Sequence, residues 1–302
     1  MSRLVCVAPN PAIDRVYEVE RLIAGAIHRP TVSVAVPGGK GLNVARTAHT
    51  LGADVVAVTI LRGHAGSWIE EQLAQRGLRL RAAWASGETR TCVSVRDPAT
   101  DGLTEIYDSG QPVTPEAWAE LERLVAEELA GGAELMTISG GIPPGIDDGA
   151  FGRLCRAARQ AGVRALVDAY GPGLAGALSE RPWLVKVNES EAGGLLGRPI
   201  EGDQEAQAAA RELLDRGAEI AIVTRGRFGA AVASPEGNFG LPPAASIGPF
   251  PDGSGDAFLG GLATGLLKGR SLPDALDLAS RAAGANAQTA GPGDLDPLAV
   301  RT

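Results

Sequence analysis

A chain of 302 residues that is 44% hydrophobic and 21% charged can bury a substantial core, and this excludes a disordered protein. Its formal net charge of -8 argues against a nucleic-acid scaffold, yet leaves room for local basic pockets that hold phosphorylated small molecules. The three cysteines, Cys6, Cys92 and Cys155, are odd in number and far apart without metal-ligand spacing, so reduced thiols in a reducing compartment are expected.

From the N-terminus, "LVCVAP" is a short apolar run cut by proline, which reads as a strand rather than a signal peptide. No apolar segment approaches the ~20 residues that span a bilayer, so a cytoplasmic protein without membrane contact is expected. "DRVYEVERLIAGAIHRPTVSVAVPGG" alternates in places and turns at "IAG", as a hairpin would. The helix "GLNVARTAHTLGA", the strand "DVVAVTIL" and the helix "GSWIEEQLAQRG" follow. "TRTCVSVRDPATDGLTEIYDSG" reads as a second hairpin, turning at "DPATDG". Next comes the helix "TPEAWAELERLVAEELAGG", with Thr114 as cap and Pro115 in its first turn, and then the strand "ELMTIS". The alternation continues through "FGRLCRAARQAG", "VRALVDA", "PWLVKVN", "DQEAQAAARELLDRG" and "EIAIVT", and ends in the helix "AFLGGLATGLLKG". Alternating strands and helices predict an α/β fold with a mostly parallel sheet flanked by helices. The two hairpins, inserted over about residues 14–37 and 88–110, predict a small lid sheet on a single domain spanning residues 1–302.

Two helices begin in glycine. In "PDGSGDAF", Gly253, Ser254 and Gly255 precede Asp256; in "VPGGKGLNVAR", Gly38, Gly39 and Gly41 surround Lys40. Glycines let backbone amides approach a ligand, and the free amides of a helix start attract anions. Ser254 or Asp256 could equally be an ordinary N-cap, so both readings stand at this point. Neither stretch is a mononucleotide phosphate loop, because Gly41 rather than Ser or Thr follows Lys40. Neither completes the dinucleotide fingerprint, since Val44 and Phe258 stand where the third glycine belongs. No Gly-x-Ser-x-Gly elbow occurs, and His28, His49 and His64 form no ligand pair.

The motifs "PNPAID", "GGKGLNVAR", "TR" at 89–90, "TE" at 104–105, "SGGIPPG", "LVKVNESE" and "GSGDAF" occur in that order. With them the chain resembles the ribokinase-like (PfkB) carbohydrate kinases, and within these the branch of tagatose-6-phosphate kinases and 1-phosphofructokinases. The resemblance implies a ribokinase-like three-layer fold and ATP-dependent phosphorylation of a ketohexose phosphate, with Mg2+. Asp256 would be the general base, and the amides of Gly253, Ser254 and Gly255 the anion hole. Asp14, Gly38, Gly39 and Asn43 would hold the sugar, with Ser139 nearby, while Lys40 and Arg90 would bind the phosphate it already carries. Lys186, Thr224, Gly226 and Gly229 would lie on the nucleotide side and Asn286 near the adenine. Asn188 and Glu191 would orient Mg2+ through water.

Some residues depart from the family pattern. Asp252 stands before the anion-hole glycine in place of a small or apolar residue, and "DAYG" at 168–171 replaces Asp-Ser-Ser-Gly. "KVN" replaces Lys-Pro-Asn, and "TRG" replaces Ser-Leu-Gly, so Arg225 is expected to add a nucleotide contact. Thr-Cys-Val-Ser after Arg90 lacks the Asn and Lys common in 1-phosphofructokinases, which tilts the acceptor towards a 6-phosphate sugar. Kinases of unphosphorylated sugars or nucleosides, a dinucleotide oxidoreductase and a non-catalytic sugar-phosphate sensor are the rival readings. Lids of similar kinases can clasp each other, so a homodimer is expected through whichever of Val16, Val19, Val32, Val34, Val93 and Val95 face outward. A charge at Val34 would then split it.

Overall fold

The computed structural model describes residues 2–100, 102–245 and 248–300. In chain order the strands are β1 (Arg3–Ala8), β2 (Ala12–Glu18), β3 (Val32–Gly38), β4 (Asp54–Arg62), β5 (Arg79–Ala85), β6 (Arg90–Asp97), β7 (Gly102–Tyr107), β8 (Ala133–Gly140), β9 (Arg164–Ala169), β10 (Leu184–Asn188), β11 (Ile220–Thr224), β12 (Ala230–Ser234) and β13 (Gly237–Leu241). The helices are α1 (Lys40–Thr50), α2 (Gly63–Gln75), α3 (Pro115–Ala130), α4 (Ala150–Gln160), α5 (Gly171–Ser179), α6 (Glu189–Leu196), α7 (Gly202–Asp215), α8 (Ser254–Leu267) and α9 (Leu272–Asn286).

The larger sheet has the strand order β13-β12-β11-β10-β9-β8-β1-β4-β5. It is parallel from β11 through β5, and at one edge β12 pairs antiparallel with β11 and β13 antiparallel with β12. Central strands buried on both faces need apolar residues at nearly every position, and β4 is buried along almost its whole length. In β1 the period of two sends Val5 and Val7 into an apolar layer with α3, α4, α5 and α7. Leu4, Cys6 and Ala8 enter the other layer, with α1, α2, α8 and α9. This is the expected three-layer α/β arrangement. All three cysteines are buried and unpaired. Among the described residues no helix is long and apolar enough to cross a membrane.

From β1 the chain proceeds to β4 and β5 on one side, then returns to β8 and works outward on the other. The crevice at the carboxyl ends of β1 and β8 is thus a topological switch point, where open α/β sheets bind ligands.

The two excursions pair into a second sheet, β3-β2-β6-β7, in which β2 lies parallel to β6. Their first turn falls at "IAG", where Ala26 N donates to Ile23 O (3.2 Å). Asp101, in the second turn, lies outside the described residues. Directly paired residues share a face, so the register decides which valines point outward. Val36, Val34 and Val32 lie opposite Asp14, Val16 and Glu18, on the face that also carries Cys92, Ser94 and Arg96. Val93 and Val95 pair with Arg15 and Tyr17 on the other face. The expectation of an outward Val34 is therefore corrected: Val34 shares the face of Asp14, and Val16 and Val19 are buried.

Candidate active site

A cleft of about 770 Å³ separates the small sheet from the crevice, within the range of small-molecule sites. Both glycine-rich helix starts open into it. The N-cap of α1 is Gly39 (φ 83°) and that of α8 is Gly253 (φ 75°), and neither helix has a side-chain cap. This disposes of the N-cap reading for Ser254 and Asp256. A Cβ on Gly253 would lie 2.7 Å from Gly293 N, and one on Gly255 would lie 2.9 Å from Lys186 Nζ, so both glycines permit close approach. The three expected anion-hole amides are not equally free. Ser254 N donates to Pro251 O (3.1 Å), and the Gly253 amide hydrogen-bonds the carboxylate of Asp252.

Asp256 and Asp14 share one amide. Asn43 Nδ2 donates to Asp256 Oδ2 (2.9 Å) and lies 3.4 Å from Asp14 Oδ2, which also accepts from Gly39 N (3.0 Å). Burial pushes Asp256 up to about 7, against the ammonium groups of Lys40 and Lys186 and the Asn43 hydrogen bond. Burial also raises Asp14, opposed by the Gly39 amide. A Cβ on Gly38 would overlap the Asp14 carboxyl, which explains that glycine.

Behind these lies an ionic cluster. Asp168 is fully buried, and Lys186 (2.7 Å) and Lys40 (2.9 Å) donate to its two oxygens. Burial disfavours its charge, but the two ammonium groups outweigh this and hold its carboxyl below the ordinary range. Lys40 also donates to Glu191 Oε1, and although burial opposes its charge, Asp168, Glu191 and Asp256 together keep it protonated. Lys40 thus joins Lys186 beside Asp256 while also lining the cleft.

Arg90 lines the cleft, but Asp108 O (2.7 Å), Asn10 O (2.9 Å) and Pro11 O (3.4 Å) take hydrogen bonds from its guanidinium. Ser139 is buried opposite Asp168 in the β8–β9 register, and its Oγ has no partner. The small sheet contributes Cys92, Arg96, Glu105 and Tyr107. Its Ser94 donates to Asp252 (3.0 Å), which burial pushes up to about 6.

Lys186, Asn188, Thr224, Gly226 and Gly229 line the opposite end. Asn188 Oδ1 accepts from Glu191 N and Glu191 Oε2 from Asn188 N, a capping box that starts α6. Two residues expected on the nucleotide side are held by protein partners. Asn286 lies outside the cleft, fully buried, receiving a hydrogen bond from Ser254 Oγ and donating to Asp294 O. Arg225 pairs with Glu189 and Asp203, and Arg227 lines the cleft instead. Asp168, Tyr170 and Arg227 were not assigned from the sequence. Asp168 had left a signal, as an acid closing an otherwise apolar strand.

The family model for pfkB family carbohydrate kinases matches residues 1–298. A 1-phosphofructokinase of Rhodobacter capsulatus is 33% identical over 279 residues, covering 92% of this chain and 88% of that protein. A tagatose-6-phosphate kinase of Staphylococcus epidermidis is 28% identical over 263 residues, covering 85% of this chain and 83% of that one. Among solved structures, the tetrameric inhibited form of phosphofructokinase-2 from Escherichia coli matches with a TM-score of 0.87 at 27% identity, over 95% of this chain and 94% of that one.

Proposed function

The chain belongs to the pfkB family of carbohydrate kinases, and on that premise we propose that it transfers a phosphoryl group from ATP to a hydroxyl of a ketohexose monophosphate, of the class of tagatose 6-phosphate or fructose 1- or 6-phosphate, giving the bisphosphate. The observation that carries this reading is the Asp14–Asn43–Asp256 bridge, which sets a buried carboxylate between a polar acceptor side and an uncapped helix start.

Asp14 and Asn43 hold the sugar hydroxyls. Asp256 takes the proton of the attacking hydroxyl, a role suited to a carboxyl raised to about 7. The start of α8 meets the charge that develops on the transferred group, with Lys186 and Lys40 close by. A guanidinium carries more N–H donors than its three carbonyl partners take, so Arg90 retains donors for the acceptor's phosphate. Asp252 occupies the Gly253 amide and yields it when phosphate enters.

Among the described residues no cluster of three or more His, Cys, Asp or Glu side chains is assembled to hold a metal. Asn188 and Glu191 already close the capping box, and Glu191 also pairs with Lys40, so these residues fit a hydrated Mg2+ held through water. When bound with ATP, Mg2+ supplies charge neutralisation between the phosphates.

A homodimer forms through the outer face of the small sheet. Supporting this, Ile106 pairs with Val93 on that face and is 66% exposed. Light scattering tests it: Ile106→Asp should shift a dimer to monomer, and a wild-type monomer at high micromolar concentration would refute it.

A coupled ADP-release screen over phosphorylated and free ketohexoses tests the function. The proposal expects release that depends on a ketohexose monophosphate; release with free sugars or nucleosides alone, or none at all, would overturn it.

A further inference from the structure

Arg46 is 1% exposed, in the middle of α1, and its hydrogen-bonding groups reach two regions far apart in sequence. Nη1 donates to Asp294 Oδ1, and Nη2 donates to both Pro292 O and Asn43 Oδ1, the last at 2.7 Å. Thr47 Oγ1 ties the same returning segment down, donating to Gly293 O (2.9 Å). The salt bridge Arg76–Asp294 (2.6 Å) braces it from outside.

The chemistry of these contacts fixes the Asn43 amide. A guanidinium can only donate, so the edge of Asn43 that meets Arg46 must be its carbonyl oxygen. The opposite edge is then the NH2 group, which faces Asp256 and Asp14. An NH2 group satisfies an ionised carboxylate. Turned the other way, the amide would offer its oxygen, which only a protonated Asp256 could satisfy.

We infer that Arg46 is a positioning residue, which fixes the Asn43 amide and so keeps Asp256 facing a hydrogen-bond donor, in its proton-accepting form. This rests on the reading of Asp256 as the base and extends it by one link. The other charges facing Asp256 are Lys40, Lys186 and Asp168; those facing Arg46 are Asp294, Arg76 and Asp14. Burial drives Asp256 upward, so the Asn43 donor opposes a real tendency.

The test is the ionisation of Asp256 followed by carbon NMR of aspartate-labelled full-length protein, with its signal assigned by loss in Asp256→Asn. In Arg46→Lys a single ammonium cannot reach Asp294, Pro292 O and Asn43 together, so the titration midpoint should rise by about one pH unit, a tenfold change in the ionisation constant. In Asp294→Asn, which loosens Arg46 without cutting its bond to Asn43, the midpoint should rise by less. Folding of each variant is checked by circular dichroism, and if Arg46→Lys fails to fold, the partly exposed Asp294 site decides. A midpoint unmoved in the folded variants overturns the inference. Near-full turnover of Asp256→Asn would instead overturn the base assignment, so the two failures are told apart.

Discussion

The two glycine-rich helix starts use one backbone device for opposite charges. Both α1 and α8 have a positive-φ glycine as N-cap and no side-chain cap on the first amides. Among the described residues three other helices close theirs with a side chain: Thr114 accepts from Ala117 N in α3, Asn188 from Glu191 N in α6, and Ser271 from Asp274 N in α9. The first residue of α1 is Lys40, drawn into a cluster with two acids; the first turn of α8 carries Asp256, held by an amide from α1. The cation is thus neutralised by its neighbours, whereas the carboxylate is left near the pH at which it can take a proton. An open helix start alone does not make a reaction centre. The groups facing it decide what it does.

The sharpest way to break the comparison is Asp256→Asn. Turnover should fall roughly 100- to 10,000-fold, the usual worth of a positioned general base. Nucleotide affinity, measured by calorimetry, should hold or improve because a negative charge near the phosphates is lost.

Lys40→Met removes the opposite charge. It leaves Asp168 with Lys186 alone and Glu191 without an ammonium partner, and urea unfolding should show a loss of about 2–4 kcal/mol, below the fully buried case because Lys40 is 27% exposed. A neutral result would mean that Lys40 serves ligands rather than the folded cluster.

Arg90→Ala should raise KM for the phosphorylated acceptor about 10- to 150-fold, equivalent to about 1.5–3 kcal/mol, while slow turnover of the free sugar is nearly unaffected. Equal losses on both substrates would reduce Arg90 to a clamp on the carbonyls of Asn10 and Asp108.

The smallest effect belongs to a closed helix start. Thr114→Ala should cost about 1 kcal/mol in thermal or urea unfolding and leave kinetics unchanged, since that cap faces no ligand.

The parallel core was legible because buried strands such as "VVAVTIL" are apolar at successive positions and little else fits them. Helix α5, "GPGLAGALS", was not, since its glycines and proline dilute the helical pattern. Strand β13, "GNFGL", is a mostly exposed edge without a run of core residues. In the site, the glycines and Asp256 were readable because their spacing is local. Asp168 was visible as an acid, but its partners Lys186 and Lys40 are 18 and 128 residues away, and only the fold brings them together. Arg46 reads as a basic helix position until the segment 248 residues downstream folds over it. The lid valines depended on register, which a period of two leaves open to a one-residue slip.

The pH dependence of kcat/KM for the acceptor tests the central claim, that Asp256 is a buried base poised near neutrality. The base must be ionised to act, so the rate should climb with pH through about 7 and level off above it. The residual activity of Asp256→Asn should lack that limb. A wild-type profile flat across this range, or a limb that persists in Asp256→Asn, would contradict the account.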